Sequence, residues 1–319
     1  MDLKDRKILS LLDENSRVAV TELARNVGLS RQVVEYRINK LVEDSVILKF
    51  ITLIDPTKFF DNIWHIYIKL QNLTVETEAD ILDYLNNTKE VWWIANCSGE
   101  YDLIFSVAGN DIFHFDSLMS GFRNRFSRYI GDEMITSIIR ADSFPRGYLQ
   151  GKPTKRISYI GRREKAKIDE KDLRILRIIA NDSRLPSTKI AELTGLTARQ
   201  VIYRIKELER KEIIRHYRLH LNFENMGYGF YKVCFYTQNF TGKSERAIIE
   251  WCKSDPNAIF FVRKISPWTF EIEFETKDFK QLNDILKDMR NKFGDIMRRS
   301  EITSITEEFK GELNILDLY

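Results

Sequence analysis

Residues 5–48 align without a gap on residues 172–215, every position lying 167 residues from its partner, and 15 of the 44 pairs are identical. The identities include Asp5/Asp172, Ile8/Ile175, Leu9/Leu176, Ser16/Ser183, Arg17/Arg184, Ala24/Ala191 and Gly28/Gly195. Val34/Val201, Tyr36/Tyr203, Arg37/Arg204, Ile38/Ile205 and Leu41/Leu208 continue the series. The same offset later aligns Asp111 with Asp278, Arg123 with Arg290, Phe126 with Phe293 and Thr136 with Thr303. An internal repeat of this length means one unit of about 150 residues used twice. Whatever one half folds into, the other must repeat.

Each unit opens with helical periodicity. Asp2 and Asp169 stand where a cap is needed, ahead of stripes Ile8, Leu9, Leu12 and Ile175, Leu176, Ile179. Thr21 and Thr188 are read as caps of short second helices that end at Gly28 and Gly195. Ser30 and Thr197 then start third helices with inner stripes Val34, Ile38, Leu41 and Val201, Ile205, Leu208. Strand-like runs follow at Val46–Ile54 and Ile213–Leu221. Three helices and a β element predict a winged helix-turn-helix.

The rest of each unit reads βαββαβ. In the first, strands are expected at Ile63–Leu70, Val91–Cys97, Tyr101–Ala108 and Met134–Arg140, with helices at Glu76–Leu85 and Asp111–Tyr129. In the second, strands are expected at Phe230–Tyr236, Ile259–Ile265, Thr269–Thr276 and Arg298–Thr306, with helices at Ser244–Cys252 and Asp278–Phe293. That order is ferredoxin-like, with both helices on one face of the sheet. Trp92/Trp93 and Phe260/Phe261 would put bulk near the bare face, which calls for a partner sheet. The expected class is α+β, with heads at 1–55 and 168–222, βαββαβ domains at 60–149 and 228–319, and a basic linker at 150–167.

Charge and cysteine usage narrow the function. The net charge is only +3, but residues 151–167 carry 7 basic side chains against 1 acidic. Residues 168–218 hold 12 against 8, and residues 1–50 hold 9 against 8. The second head is therefore expected to bind a polyanion more strongly, with the linker either a solvated tether or a source of non-specific contacts. The charged start Met-Asp-Leu-Lys-Asp-Arg-Lys does not read as a leader, and no apolar run approaches a membrane span, so the chain reads as cytoplasmic. Cys97, Cys234 and Cys252 lack metal or disulfide spacing. With no phosphate loop, H-E-x-x-H or nucleophile elbow, neither cofactor, metal nor catalytic residue is expected.

The run Asp-Arg-Lys-Ile-Leu … Ser-Arg … Glu-Leu-Ala … Gly-Leu-Ser … Tyr-Arg-Ile … Leu, followed by βαββαβ, resembles the Lrp/AsnC transcription regulators over nearly the whole chain, twice. The resemblance implies a DNA-binding head, an amino-acid-sensing domain and pairing through the sensing sheets. One chain would then be a pseudo-dimer, able to assemble further. On the reading helices, Arg31, Gln32, Glu35, Tyr36 and Asn39 of the first unit, and Arg199, Gln200, Tyr203 and Lys206 of the second, can reach base edges in duplex DNA. Arg37, Lys40, Arg204, Arg215 and Arg218 are placed on phosphates. Paired heads would meet half-sites about 34 Å apart or a multiple of that.

For sensing, Gly99, Tyr101 and Asp102 match the Gly-x-Tyr-Asp turn that borders the family's effector pocket. The same residues also suit a plain hairpin turn. The second unit has Ser266-Pro267-Trp268-Thr269 there, without the glycine or the carboxylate. Two other readings stand beside the regulator. One is a siroheme decarboxylase-like tetrapyrrole enzyme, which uses the same plan. The other is an architectural protein whose heads no longer read sequence.

Overall fold

The computed structural model describes residues 1–151, 153–161, 164–310 and 316. Lys152, Arg162 and Arg163 of the linker and most of the tail assigned to 228–319 lie outside the described residues. The first head comprises α1 (Leu3–Glu14), α2 (Val20–Val27), α3 (Arg31–Glu43) and strand β1 (Ile47–Ile54). Its sheet half follows as β2 (Asn62–Leu70), α4 (Val75–Asn87), β3 (Val91–Gly99), β4 (Leu103–Gly109), α5 (Ile112–Phe126) and β5 (Ile130–Ser143). Within the linker a short strand forms, β6 (Ile157–Ile160), paired with β5. The stretch taken for a tether is thus partly built into the sheet.

The second unit repeats the plan: α6 (Glu170–Asn181), α7 (Ser187–Thr194), α8 (Ala198–Arg210) and β7 (Ile214–Leu221). It continues as β8 (Gly229–Thr237), α9 (Gly242–Ser254), β9 (Ala258–Ile265), β10 (Phe270–Thr276), α10 (Phe279–Phe293) and β11 (Met297–Lys310). Asp2 and Asp169 cap α1 and α6 through reciprocal capping boxes. Gly28 and Gly195 take left-handed φ of 72° and 68°, closing α2 and α7. Thr21 and Thr188 are not caps: Ala19 and Pro186 hold those positions without a side-chain bond, and the threonines fall inside the helices.

Each ferredoxin-like sheet has the order β5-β2-β4-β3 or β11-β8-β10-β9, and the two join edge to edge through β3–β11 and β5–β9. Eight strands therefore close into a barrel, with β6 appended to β5. Closure pairs the sheet edges as well as covering the bare faces, which is why β5 and β11 run longer than the sequence suggests. Helices α4 and α5 cover one outer face over Ile66, Ile94 and Phe105; α9 and α10 cover the other over Val233, Ile272 and Phe274. A one-residue irregularity between Val91 and Trp93 turns both Trp92 and Trp93 inward.

The heads are interlocked across the repeat. Strands β1 and β7 pair antiparallel with each other, so the expected wings form one shared ribbon. Leu219 and Leu221 of β7 complete the core of the first head, and Thr52 of β1 donates to Ile179 O of the second at 2.6 Å. Ser16 Oγ meets Ser183 Oγ at 2.5 Å on a pseudo-twofold axis, and Arg184 donates to Ser16 O at 2.5 Å while Arg17 donates to Ser183 O. These residues are alike in both copies because each copy presents them to the other.

Candidate nucleic-acid interface

Helices α3 and α8 are built alike and faced differently. Ser30 Oγ accepts from Val33 N at 3.3 Å, and Thr197 and Gln200 form a full capping box, so both helices start at a fixed residue. Their inner stripes pack into separate cores, the first with Ile8 and Leu12, the second with Ile175 and Ile179. Outward stand Arg31, Gln32, Tyr36, Asn39 and Lys40 on α3, and Arg199, Gln200, Tyr203 and Lys206 on α8. Tyr36 and Tyr203 are 66% and 65% exposed, far more than a packing role needs. Glu35 bonds Arg31 at 2.9 Å, which neutralises part of the first head's positive face; Arg199 and Lys206 are both exposed on the second.

Four arginines assigned to phosphates are held by the protein itself. Arg37 binds Asp2 at 2.8 Å and Asp5 at 2.7 Å, and Arg204 binds Asp169 at 2.9 Å and Asp172 at 2.7 Å. Each is a clip from the reading helix back to the N-terminus of α1 or α6, where a carboxylate also suits the helix dipole. Arg215 donates to Ser158 O at 2.8 Å and pairs with Glu212 at 2.6 Å. Arg218 is 2% exposed, pairs with Asp13 at 3.4 Å and lies over the Phe260 ring. The shared ribbon takes Arg218 from the surface, while Arg37, Arg204 and Arg215 stay part-exposed with their charges paired within the fold.

The Gly99–Asp102 turn is likewise used within the fold. Gly99 has φ of +127° and pairs with Thr303; a Cβ there would sit 2.8 Å from Ile302 O. Asp102 Oδ2 accepts from Leu70 N at 2.8 Å and Oδ1 from Lys69 Nζ at 2.9 Å. Tyr101 is buried against Tyr67 and Trp268. Gly99 serves the seam between the two sheets, and the Asp102 carboxylate is held by Lys69 and Leu70 of β2.

A charged cluster inside the barrel escaped the sequence reading. Strand β10, Phe-Glu-Ile-Glu-Phe-Glu-Thr, alternates apolar and acidic residues yet is buried throughout. That alternation normally marks a solvated face; here closure turns Glu271, Glu273 and Glu275 inward. Lys264 pairs with Glu271 at 2.9 Å, donates to Tyr67 and meets His65 Nδ1 at 2.8 Å. Lys232 pairs with Glu271 at 3.3 Å and with Glu273. Burial would raise the Glu271 carboxyl, but the two ammonium groups hold it down at about 2. Burial brings Lys264 down to about 8 and, with the lysine charges, keeps His65 well below its ordinary value.

A second cluster ties head to barrel. Arg146 reaches Asp13 of α1 at 2.9 Å and Glu275 of β10 at 2.8 Å. Burial would raise Asp13, and Arg218 and Arg146 lower it instead. The repeat puts Ala180, Ile51 and Ala108 where Asp13, Arg218 and Glu275 stand, so this tie is made on one side of the axis only.

Two capped reading helices on interlocked winged heads, above a closed pair of ferredoxin-like sheets, define a DNA-binding regulator built from a duplicated unit. A family model for winged helix-turn-helix DNA-binding segments matches residues 1–47 and 168–215. The chain is 30% identical over 113 residues to a proline dehydrogenase transcriptional activator of Rhizobium radiobacter, covering 35% of this chain and 72% of that one. It is 43% identical over 61 residues to the regulator LrpA of Pyrococcus horikoshii, covering 19% of this chain and 43% of that one. In shape it is similar to the siroheme decarboxylase NirDL, with a TM-score of 0.62 and 13% identity, over 97% of this chain and 92% of that one. The chain belongs to the Lrp/AsnC family of transcription regulators. The likeness to NirDL concerns the fold of the two joined units.

Proposed function

We propose that this chain is a self-contained pseudo-dimer that binds duplex DNA through two unequal reading helices and recognises an asymmetric site. The observation that carries it is the pairing of an interlocked scaffold with divergent outer faces. Ser16/Ser183, Arg17/Arg184 and the β1–β7 ribbon hold the heads to each other, while Arg31/Ala198, Gln32/Arg199, Glu35/Ile202 and Asn39/Lys206 differ. Arg, Gln and Lys206 at these exposed positions suit base edges, and Lys40 suits a phosphate. An ordinary homodimer must read two equal half-sites; a fused pair need not. The proposal includes a cytoplasmic location and further assembly of the chain into oligomers.

Selection of binding sequences from random duplex DNA tests this directly. The expected product is two unlike half-sites about 34 Å apart, or a multiple of that distance. A perfect palindrome would sink the asymmetry. The tetrapyrrole-enzyme reading is favoured by the NirDL-like shape. Against it, Lys232, Lys264, Glu271 and Glu273 fill the barrel interior and are paired with one another. Absence of duplex binding near physiological salt, together with a tetrapyrrole absorption band in the purified protein, would turn the assignment to that enzyme class.

A further inference from the structure

The outer face of α8 carries an apolar side chain that its own head does not need. Val201, Ile205 and Leu208 supply the inner stripe of the helix and are buried, whereas Ile202 is 46% exposed. At the equivalent position α3 has Glu35, which is paired with Arg31 at 2.9 Å. A β-branched residue is a poorer helix former than glutamate, and its exposed carbons forgo the gain of burial. A lone exposed isoleucine is ordinary on a protein surface. This one stands in the middle of a reading face.

Arg199, Ile202, Tyr203 and Lys206 lie at i, i+3, i+4 and i+7, on one side of α8, and all four are exposed. At about 1.5 Å per residue they span about 10 Å, close to three base-pair steps of about 3.4 Å. On α3 the same positions hold Gln32, Glu35, Tyr36 and Asn39. The two faces share the tyrosine and differ in the middle, a carboxylate against a branched hydrocarbon. Base edges in the major groove present donors, acceptors and one kind of apolar group, the 5-methyl of thymine. A hydrocarbon pressed on a donor or acceptor strips its water and returns no hydrogen bond. Pressed on a methyl group, it removes apolar surface from water on both sides.

We propose that Ile202 reads a thymine methyl, so that the half-site under α8 requires a thymine where the half-site under α3 does not. Arg199, one turn earlier on the same face, suits guanine, which places a guanine and a thymine within the same three base pairs. The inference rests on the regulator reading and goes beyond it by naming a base and the residue that selects it.

The duplex enriched from random DNA by the full chain is remade with deoxyuridine in place of each thymine in turn. Each replacement removes one methyl and leaves the hydrogen-bonding edges intact. One buried carbon is worth about a factor of four, so one thymine of the α8 half-site should lose about three- to fivefold in affinity when replaced. Cytosine at that position should bind more weakly than 5-methylcytosine by the same factor. In Ile202→Ala both differences should disappear, with circular dichroism confirming the fold. Duplex binding without a methyl-dependent thymine, or a methyl effect that survives Ile202→Ala, would overturn the inference and leave the regulator reading standing. If no duplex is enriched at all, the regulator reading fails and the inference with it.

Discussion

Gly99 and His216 show how single residues carry the architecture. Gly99 sits at φ +127°, with the Ile302 carbonyl where a side chain would begin. Gly99→Ala should therefore cost about 2 kcal/mol or more in urea unfolding, with DNA affinity per folded molecule unaltered. His216 is part-buried, donates to Asp13 O at 3.1 Å, and is pushed down to about 4 by desolvation and by the Arg218 charge. The unfolded chain thus takes up a proton near pH 6.5 that the native state resists until about pH 4. Stability falls as pH drops through that window, with a slope of at most about 1.4 kcal/mol per pH unit from this group. His216→Gln removes that contribution. The stability of the variant relative to the parent should rise as pH falls from 6.5 to 4 in denaturant titrations at stepped pH, and a constant difference would exclude His216 as the source.

Among the elements, α3 and α8 separate two jobs that the sequence presents as one. Most residues identical in both helices, Arg37/Arg204 and Val34/Val201 among them, hold the helix to its head, while the shared Tyr36/Tyr203 pair stands exposed. Residues that differ face outward. Arg204→Met should lower the melting temperature while leaving the salt dependence of DNA binding as it was. Arg199→Ala should leave the melting temperature alone and weaken binding, reducing the slope of log affinity against log salt if it holds a phosphate, or relaxing sequence preference if it reads a base. The reverse pattern would mean the two arginines were assigned the wrong way round. The exposed faces were legible from periodicity, since every third or fourth residue of each helix is apolar. The clips were not: Asp2 and Asp5 are distant from Arg37 in the chain and meet it only when α1 and α3 pack.

In the whole molecule the two units depend on each other. Each head's core includes the other unit's strand, so a fragment of residues 1–150 would expose Ile8 and Leu12 where Leu219 and Leu221 now cover them. Differences between the heads are better measured with point variants than by cutting the chain. Arg146 is the one-sided tie between α1 and the barrel. Arg146→Met leaves Asp13 and Glu275 buried with less compensation and should cost about 3–5 kcal/mol, read by chemical denaturation. A cost below 1 kcal/mol would mean that water or Arg218 already balances both carboxylates.

Duplication, the three-helix heads, the βαββαβ order and the need for sheets to pair all followed from repeat spacing and hydrophobic period, because those patterns are local and each element carries its own. How the pairing closed did not. Whether two bare faces simply stack or their edges also join depends on contacts between residues such as Gly99 and Thr303, some 200 positions apart. The same closure reversed the meaning of Phe-Glu-Ile-Glu-Phe-Glu, from a wet strand to a buried ionic one, and drew Arg218 from the expected DNA face into the ribbon. An arginine or glutamate looks alike in sequence whether it faces water or a counter-charge; only the packed chain supplies the partner that tells them apart.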